Sequence, residues 1–195
     1  MRKVIVSEFV TLDGVMEDPG GAEKFKHGGW TWPYMEEAIG KFKFEEMIAS
    51  DALLLGRLTY QAFAEAWPAR TDEMGFAERM NNVPKYVAST TLSKLAWKNS
   101  HLLQGDIAAA VTKLKQEPGQ DILVAGSGVL VRALMQHDLV DEYRLLVYPV
   151  TLGTGKKLFR DGSHATLRLV DAQPFKSGVV RLTYHPAPPP APKTP

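Results

Sequence analysis

The chain has 195 residues, 45% of them hydrophobic, which predicts one soluble domain large enough to bury a proper core. Its formal net charge of +1, and the lack of any stretch approaching about 18 consecutive apolar residues, argue against nucleic acid and membranes as partners. Cysteine is absent and the five histidines are scattered without metal-ligand spacing, so no disulfide, cysteine nucleophile or metal site is predicted, and a cytoplasmic location is the simplest inference.

Apolar periodicity and turn signals predict strands and helices that alternate through most of the chain. The predicted elements are a strand at 3–9, a turn at 11–14, a glycine- and aromatic-rich loop at 28–34, a helix at 35–50, a strand at 52–55, a helix from 57 to before 68, a polar connection at 68–84, a strand at 85–88, a helix from 106 to before 118, a strand at 122–125, a helix around 130–134, a strand at 142–150 and a strand pair at 166–170 and 179–184. This alternation is typical of a largely parallel sheet with helices on both faces, to which the last two strands add an antiparallel edge.

The turn Gly126-Ser127-Gly128 joins a buried strand directly to a helix. A turn of this kind points free backbone N–H groups and the positive end of a helix dipole at one spot, which suits a phosphate or pyrophosphate. A tight strand-to-helix turn also needs glycine for steric reasons alone, so a purely structural role stays open at this point.

Two further predicted strands end in loops with similar chemistry. Gly56 closes one strand, and Arg57 and Thr59 follow at the helix start, where a guanidinium and a hydroxyl suit phosphate oxygens. The alternative for Arg57 is a solvated residue at a helix end. Ser89 and Thr90 follow the next strand and offer hydroxyls, although such residues also form ordinary turns and caps. Three such loops make a nucleotide cofactor the leading hypothesis.

Several segments carry a family pattern in a fixed order along the chain. They are 7–14, Gly56-Arg57-x-Thr59-Tyr60, Ser89-Thr90, Gly126-Ser127-Gly128, Asp141-Glu142-Tyr143-x-Leu145 and 148–159. Together they resemble dihydrofolate reductase and, more closely, the reductase domain of the bifunctional deaminase-reductase family of riboflavin biosynthesis. The resemblance implies a dihydrofolate reductase-like α/β domain over residues 1–185. The segment 186–195 is rich in proline, a composition that predicts a flexible tail. The resemblance also implies that NADPH lies across the carboxyl ends of the central strands, where open α/β sheets bind ligands.

The resemblance gives each loop an expected role toward NADPH. The implied contacts are Gly56, Arg57 and Thr59 at the phosphates, Ser89 and Thr90 near the adenosine 2′-phosphate, Gly126, Ser127 and Gly128 at the pyrophosphate, and Thr11, Asp13 and Gly14 beside the nicotinamide. These roles agree with the chemistry of the glycine and hydroxyl loops considered without the family.

The substrate does not follow from the resemblance. Riboflavin reductases have a Val-Glu-Gly-Gly pattern where this chain has Val124-Ala125-Gly126-Ser127. Dihydrofolate reductases place a carboxylate early in the first helix, and the candidates for a proton donor in that region are Glu36, Glu37, Glu45 and Glu46. Trp30, Trp32 and Tyr34 are candidates for stacking on a flat heterocycle, or else form a hydrophobic lid or a dimer contact.

The sequence therefore predicts an NADPH-dependent reductase that transfers a hydride to a small heterocyclic substrate, pteridine- or pyrimidine-like. The alternatives are a non-catalytic nucleotide- or ligand-binding domain on the same fold, and a structural dimer whose glycine loops are only turns. A homodimer is expected because related reductases commonly pair. The strand at 142–150 alternates little, as covered strands do, and its extension into Pro149 and Gly153 suits an edge or interface.

Overall fold

The computed structural model describes residues 1–160 and 162–189 and builds them into strands, α-helices and one short 3-10 helix at Trp32–Tyr34. The strands are β1 (Val4–Thr11), β2 (Ser50–Gly56), β3 (Lys85–Ala88), β4 (Ser100–Leu103), β5 (Asp121–Ala125), β6 (Glu142–Tyr148), β7 (Leu167–Pro174) and β8 (Val180–Pro186). The α-helices are α1 (Glu37–Ile48), α2 (Arg57–Ala66), α3 (Phe76–Asn82), α4 (Ile107–Gln116) and α5 (Gly128–Gln136). None of the helices in these described ranges is long and apolar enough to cross a membrane.

The eight strands form one sheet in the order β4-β3-β2-β5-β1-β6-β8-β7. The six strands from β4 to β6 are parallel, whereas β8 runs antiparallel to β6 and β7 antiparallel to β8. The predicted α/β class, with a mostly parallel sheet and an antiparallel C-terminal edge, is confirmed.

Successive residues of β1 pack into different cores on the two faces of the sheet, as the two-residue period of a strand requires. Val4 and Val6 pack with Leu130 of α5, whereas Ile5 packs with Met47 of α1. Because α1 and α5 lie on opposite faces, the chain leaves β1 and β5 toward opposite sides. Open α/β sheets bind ligands at such a point, so we expect a ligand between the carboxyl ends of β1 and β5, a position called the crevice below.

The sequence prediction misses two elements. The polar connection at 68–84 contains α3, which begins where the Asp72 carboxylate accepts the N–H groups of Phe76 (2.9 Å) and Ala77 (2.6 Å). The other is β4, a four-residue edge strand that is largely half-buried. Both elements are too short to display a clear apolar period, which is why the pattern does not reveal them.

The prediction that the strand at 142–150 extends into an edge is wrong. β6 ends at Tyr148 and lies in the interior of the sheet between β1 and β8, so that it has no free edge. The free edges belong to β4 and β7, and every residue of β7 after Leu167 is exposed. Of the predicted tail, Pro186 is the last residue of β8, and residues 190–195 lie outside the described residues.

Candidate functional site

The glycine turns after β2 and β5 contact each other at the carboxyl end of the sheet. The Ser127 hydroxyl oxygen accepts the N–H of Gly56 (2.8 Å), and the N–H of Ser127 donates to Thr59 Oγ1 (2.9 Å). Gly126 (φ +57°) and Ser127 (φ +62°) both adopt the left-handed conformation. That conformation is costly for serine and persists only where the surroundings enforce it, as they do here from the start of α2. The structure thus brings together four residues that the sequence assigned to one ligand.

Both α2 and α5 begin at this contact, and no side chain of the described residues caps either helix at its start. The first backbone N–H groups of a helix have no acceptor within the helix. Two positive dipole ends and their unsatisfied donors therefore point at one crevice, an arrangement that suits two linked phosphates. A Cβ on Gly128 would lie 2.9 Å from the Met16 sulfur, so a flexible thioether covers the start of α5.

The hydroxyl groups of Ser127 and Thr59 differ in whether they can donate a hydrogen bond to a ligand. Ser127 Oγ donates to the carbonyl of Ala125 (3.1 Å) while accepting from Gly56, so its hydrogen is already used. Thr59 Oγ1 accepts from Ser127, and its own hydrogen has no acceptor among the described residues, so it is available to a ligand oxygen. Ser127 therefore shapes the turn, and Thr59 is the hydroxyl that suits a phosphate.

The remaining predicted phosphate contacts lie at the same edge of the sheet. Arg57 is exposed at the first position of α2, and its guanidinium donates to Gln61 Oε1 (3.1 Å). A single exposed bond of this kind is weak enough to yield to an anion. Ser89 follows β3 and its hydroxyl accepts the N–H of Leu92 (3.0 Å), which shapes the loop, whereas Thr90 is exposed.

The turn after β1 is fastened to the loop after β6. Thr11 Oγ1 donates to Asp13 Oδ1 (2.5 Å), and Asp13 Oδ2 accepts the N–H of Gly153 (2.7 Å). The hydrogen bond from Thr11, followed by those from the backbone, lowers the pKa of Asp13 below its ordinary value. Asp13 is therefore an ionised anchor for this turn, in which Gly14 (φ +80°) supplies the left-handed position.

A buried carboxyl group that sequence reasoning missed lies between β1 and β5. Glu8 is 4% exposed, and its Oε2 accepts the N–H of Gly126 (3.0 Å). Its Oε1 is buried with no hydrogen-bond partner among the described residues. Burial raises the pKa of Glu8 well above its ordinary value. The sequence did hold a signal, because Glu8 interrupts an alternating series in which Val4, Val6 and Val10 face one core.

A second buried glutamate, Glu46 of α1, has a different environment. Its Oε2 accepts the hydroxyl of Ser7 (2.9 Å) and pairs with Lys43, and Arg144 lies 3.6 Å from its Oε1. The two cations stabilise a negative charge at this position. Glu46 therefore belongs to an ion-pair cluster between α1 and the β1–β6 part of the sheet.

The other three glutamates considered as proton donors are not buried at the crevice. Glu36 precedes α1, and its Oε2 accepts the N–H of Ser177 (2.7 Å), which fastens the loop between β7 and β8. Glu37 and Glu45 are exposed, and Glu45 faces Lys41 across 3.8 Å on the helix surface. Their positions match those of solvated or anchoring residues.

The three aromatic residues expected at the substrate have different surroundings. Trp30 is 6% exposed, its indole N–H donates to the carbonyl of Glu17 (2.8 Å), and its ring packs edge-on against Tyr148. Tyr34 also packs edge-on against Tyr148 and is half-buried. Trp32 is 61% exposed. The stacking role expected of Trp30 is not available to it because its ring is inside the core, whereas Trp32 presents an open ring.

Exposed apolar side chains follow the carboxyl ends of the strands. Leu12 lies in the turn after β1, Leu58 is the second residue of α2, and Val129 is the second residue of α5. Met35 and Trp32 add two more from the loop before α1. Apolar groups left in solvent beside polar turns are typical of a cleft that receives a largely apolar ring.

Comparisons with known proteins identify the family and the fold of the chain. The family model of the RibD C-terminal domain matches residues 2–181. The uncharacterized protein YyaP of Bacillus subtilis is 33% identical over 188 residues, which is 94% of this chain and 95% of that protein. A putative riboflavin biosynthesis protein from Shewanella sp. PV-4 has a TM-score of 0.73 at 22% identity, covering 95% of this chain and 99% of that chain.

Dihydrofolate reductase from Enterococcus faecalis, solved in complex with NADP(H), has a TM-score of 0.62 at 14% identity. The likeness covers 94% of this chain and 96% of that chain. At these identities the solved structures establish the fold, which is dihydrofolate reductase-like, as the motifs predicted. The match of the family model over nearly the whole chain shows more: the chain belongs to the RibD C-terminal domain family.

Proposed function

We propose that the chain is an NADPH-dependent reductase that transfers a hydride to a small heterocyclic substrate of the pteridine or pyrimidine type. The observation that carries the proposal is the meeting of two helix starts at one strained turn, at the carboxyl ends of β2 and β5. Membership of the RibD C-terminal domain family supports a reductase, and the NADP(H) complex of the Enterococcus enzyme supports the cofactor.

The side chains and backbone at this edge fit a dinucleotide phosphate. The N–H groups at the start of α5 suit the pyrophosphate, and the free hydrogen of the Thr59 hydroxyl suits one of its oxygens. Arg57 and Thr90 are exposed at the same edge and are the groups we assign to the 2′-phosphate side of the cofactor. When bound, NADPH supplies the hydride. The chain orients it, and the exposed apolar residues around the crevice exclude water from the ring.

A second candidate is a nucleotide-binding domain that keeps the fold without catalysis. The carboxylates near α1 favour it, because Glu46 is committed to an ion-pair cluster and Glu36 to the N–H of Ser177. Glu46 lies beside Ser7 at the end of the β1–β5 ladder, but the Ser7 hydroxyl and Lys43 already engage its carboxylate, and Glu36 is bonded to the loop between β7 and β8.

Two titrations and an activity screen test the proposal. We expect NADPH to bind about tenfold or more tightly than NADH in calorimetry, because charge-assisted contacts to the extra phosphate add about 1.5–3 kcal/mol. Oxidation of NADPH in the presence of a panel of pteridines and aminopyrimidines would then identify a reductase. Tight binding without any turnover would favour the second candidate, and no binding of NADPH would refute the proposal and favour a structural role for the glycine turns.

The proposal includes a homodimer, which the family resemblance implies, and a cytoplasmic location. With β6 inside the sheet, the exposed edge strand β7 is the surface we assign to the pairing. It carries Leu169 and Val170, which are 50% and 46% exposed. Light scattering should give twice the monomer mass of 21.6 kDa, and Val170→Lys should shift it toward the monomer. A monomeric mass at micromolar concentration would contradict the dimer.

A further inference from the structure

The ladder between β1 and β5 stops at the pair Ser7–Ala125, because the chain leaves the sheet at Gly126. Glu8 is the first residue of β1 beyond that pair. Its side chain takes over the contact that the strand loses, since Oε2 accepts the Gly126 N–H (3.0 Å). The carboxyl group therefore lies where the two strands separate.

Glu8 also has hydrogen-bonding capacity that the chain does not use. A buried oxygen without a partner, such as its Oε1, is rare in folded proteins and costs free energy. Burial raises the pKa of Glu8 well above its ordinary value, against the opposing charge of Lys43, so the carboxyl group keeps its proton to a higher pH than a solvated glutamate does. In the protonated carboxyl group, Oε2 accepts the Gly126 N–H and Oε1 carries the proton, so that Oε1 offers an O–H donor and an acceptor lone pair.

We infer that Glu8 positions the nicotinamide ring of NADPH, through a hydrogen bond between its Oε1 and the ring carboxamide. The inference rests on the proposed function, because it requires NADPH to bind at the Gly56 and Gly126 turns. A carboxamide offers an oxygen acceptor and N–H donors, so it satisfies an O–H group and its lone pair in either orientation. Through the Gly126 N–H, the same carboxyl group ties the ring to the turn that faces the phosphates.

The bond from Gly126 gives Glu8 a structural role as well, and the two roles make different predictions. Loss of a clamp on the turn affects every ligand that uses the turn. Loss of a contact to the carboxamide affects only ligands that contain the nicotinamide ring. The compound 2′-phospho-ADP-ribose retains the adenosine and all the phosphates of NADPH but lacks that ring, so it separates the two roles.

The experiment is calorimetric titration of both compounds at pH 7 into the full chain and three variants. Glu8→Leu should lower the ratio of NADPH affinity to 2′-phospho-ADP-ribose affinity about tenfold, the effect of one lost hydrogen bond. Glu8→Gln should keep the ratio within about threefold, because its amide offers an oxygen to Gly126 and an N–H donor to the ring. Ser127→Ala is the matched control: it loosens the same turn at Gly56 and should weaken both compounds alike.

Equal weakening of both compounds by Glu8→Leu would overturn the inference and leave Glu8 as a clamp. A native chain that binds 2′-phospho-ADP-ribose as tightly as NADPH would overturn it too, with the phosphate site intact. Binding of neither compound would overturn the proposed function and this inference with it.

Should circular dichroism show that Glu8→Leu does not fold, the native chain provides the test. The carbon-13 signal of the Glu8 carboxyl, assigned by its loss in Glu8→Gln, should move on addition of NADPH and stay in place with 2′-phospho-ADP-ribose. A signal that NADPH does not move would contradict the contact.

Discussion

The buried ionisable side chains at the two ends of the parallel sheet differ in whether the chain provides their partners. At the amino ends, Arg2 pairs with Asp51, and Lys115 Nζ lies 2.6 Å from Asp141 Oδ2, which also accepts the N–H of Val4 (2.7 Å). At the carboxyl ends, Glu8 keeps an oxygen without a partner, and α2 and α5 start without side-chain caps among the described residues. Polar groups satisfied within the chain indicate a structural end, and groups left open indicate the end that takes a ligand.

The largest effect on stability is expected at the amino ends. Asp141→Ala removes the partner of Lys115, whose side chain is 9% exposed, and also the acceptor of the Val4 N–H. We expect the free energy of unfolding to fall by about 2–3 kcal/mol, somewhat less than for a fully buried pair, in urea titrations. NADPH affinity of the folded variant should stay within about twofold of the native value if the two ends are separate in function. A tenfold loss of NADPH affinity in folded Asp141→Ala would show that the two ends of the sheet are not separate in function.

At the carboxyl ends, Gly126→Ala should affect binding more than folding. The new methyl group would lie 2.9 Å from Thr59 Oγ1 at a φ of +57°, which strains the turn by about 1–2 kcal/mol and misplaces the N–H groups of α5. We expect NADPH binding to become undetectable by calorimetry while circular dichroism still reports a folded chain.

Gly128→Ala should weaken NADPH binding less than Gly126→Ala does. Its Cβ would meet the Met16 sulfur at 2.9 Å, the far end of a flexible side chain that can move. The methyl group would also stand where α5 begins, so binding should weaken while stability changes by less than about 1 kcal/mol. Undiminished NADPH affinity in folded Gly128→Ala would show that this turn has only a structural role.

The two ends should also respond to pH with opposite signs. The folded chain holds the Glu8 proton to a higher pH than the unfolded chain, so above the ordinary value of 4.5 this group lowers the free energy of unfolding as pH rises. Glutamine does not titrate, so the free energy of unfolding of Glu8→Gln lacks this decrease with rising pH. Its stability relative to the native chain should therefore increase as the pH rises above about 5 in urea titrations, and parallel curves would contradict the raised pKa of Glu8.

Lys85, at the start of β3, provides the matching test at the amino ends. Its Nζ donates to the carbonyl of Asn81 (2.7 Å), and burial lowers its pKa to about 8. Between pH 8 and 10.5 the unfolded chain binds the extra proton, so the free energy of unfolding gains a contribution that rises with pH. In Lys85→Met this rise should be missing. If the free energy of unfolding of the native chain and of the variant changed equally with pH over this window, the lowered pKa of Lys85 would be contradicted.

The smallest effect on stability is expected for Arg57→Ala. The Arg57 side chain is exposed and makes one hydrogen bond to Gln61, so thermal unfolding should move by less than about 2 °C. NADPH affinity should fall about tenfold, and the preference over NADH should shrink with it. An unchanged preference for NADPH over NADH would show that Arg57 is a solvated residue at a helix end and does not contact the cofactor.

Residues whose positions depend on chain-local chemistry could be predicted from the sequence to lie together. Gly56, Thr59, Gly126 and Ser127 were assigned to one ligand because each follows a buried strand, and parallel strands bring such loops to one edge. The different roles of the Ser127 and Thr59 hydroxyl groups could not be predicted, because they depend on the contact of Ser127 with Gly56 across the sheet.

The missed features depend on partners that are distant in sequence. Glu8 interrupts an apolar face, yet its role appears only when Gly126 comes within 3.0 Å of its carboxyl group. Trp30 looked available for stacking because nothing near it in sequence shows that Tyr148 buries its ring. The interior position of β6 follows from β8 returning beside it, which no local pattern of residues 142–150 contains.

The central claim is that the crevice between the carboxyl ends of β1 and β5 binds NADPH. A crystal structure of the chain grown with NADPH tests it most directly. We expect the pyrophosphate within hydrogen-bond distance of the N–H groups of residues 128–130, and the nicotinamide carboxamide within hydrogen-bond distance of Glu8. A cofactor bound at any other surface, with these turns left in solvent, would contradict it.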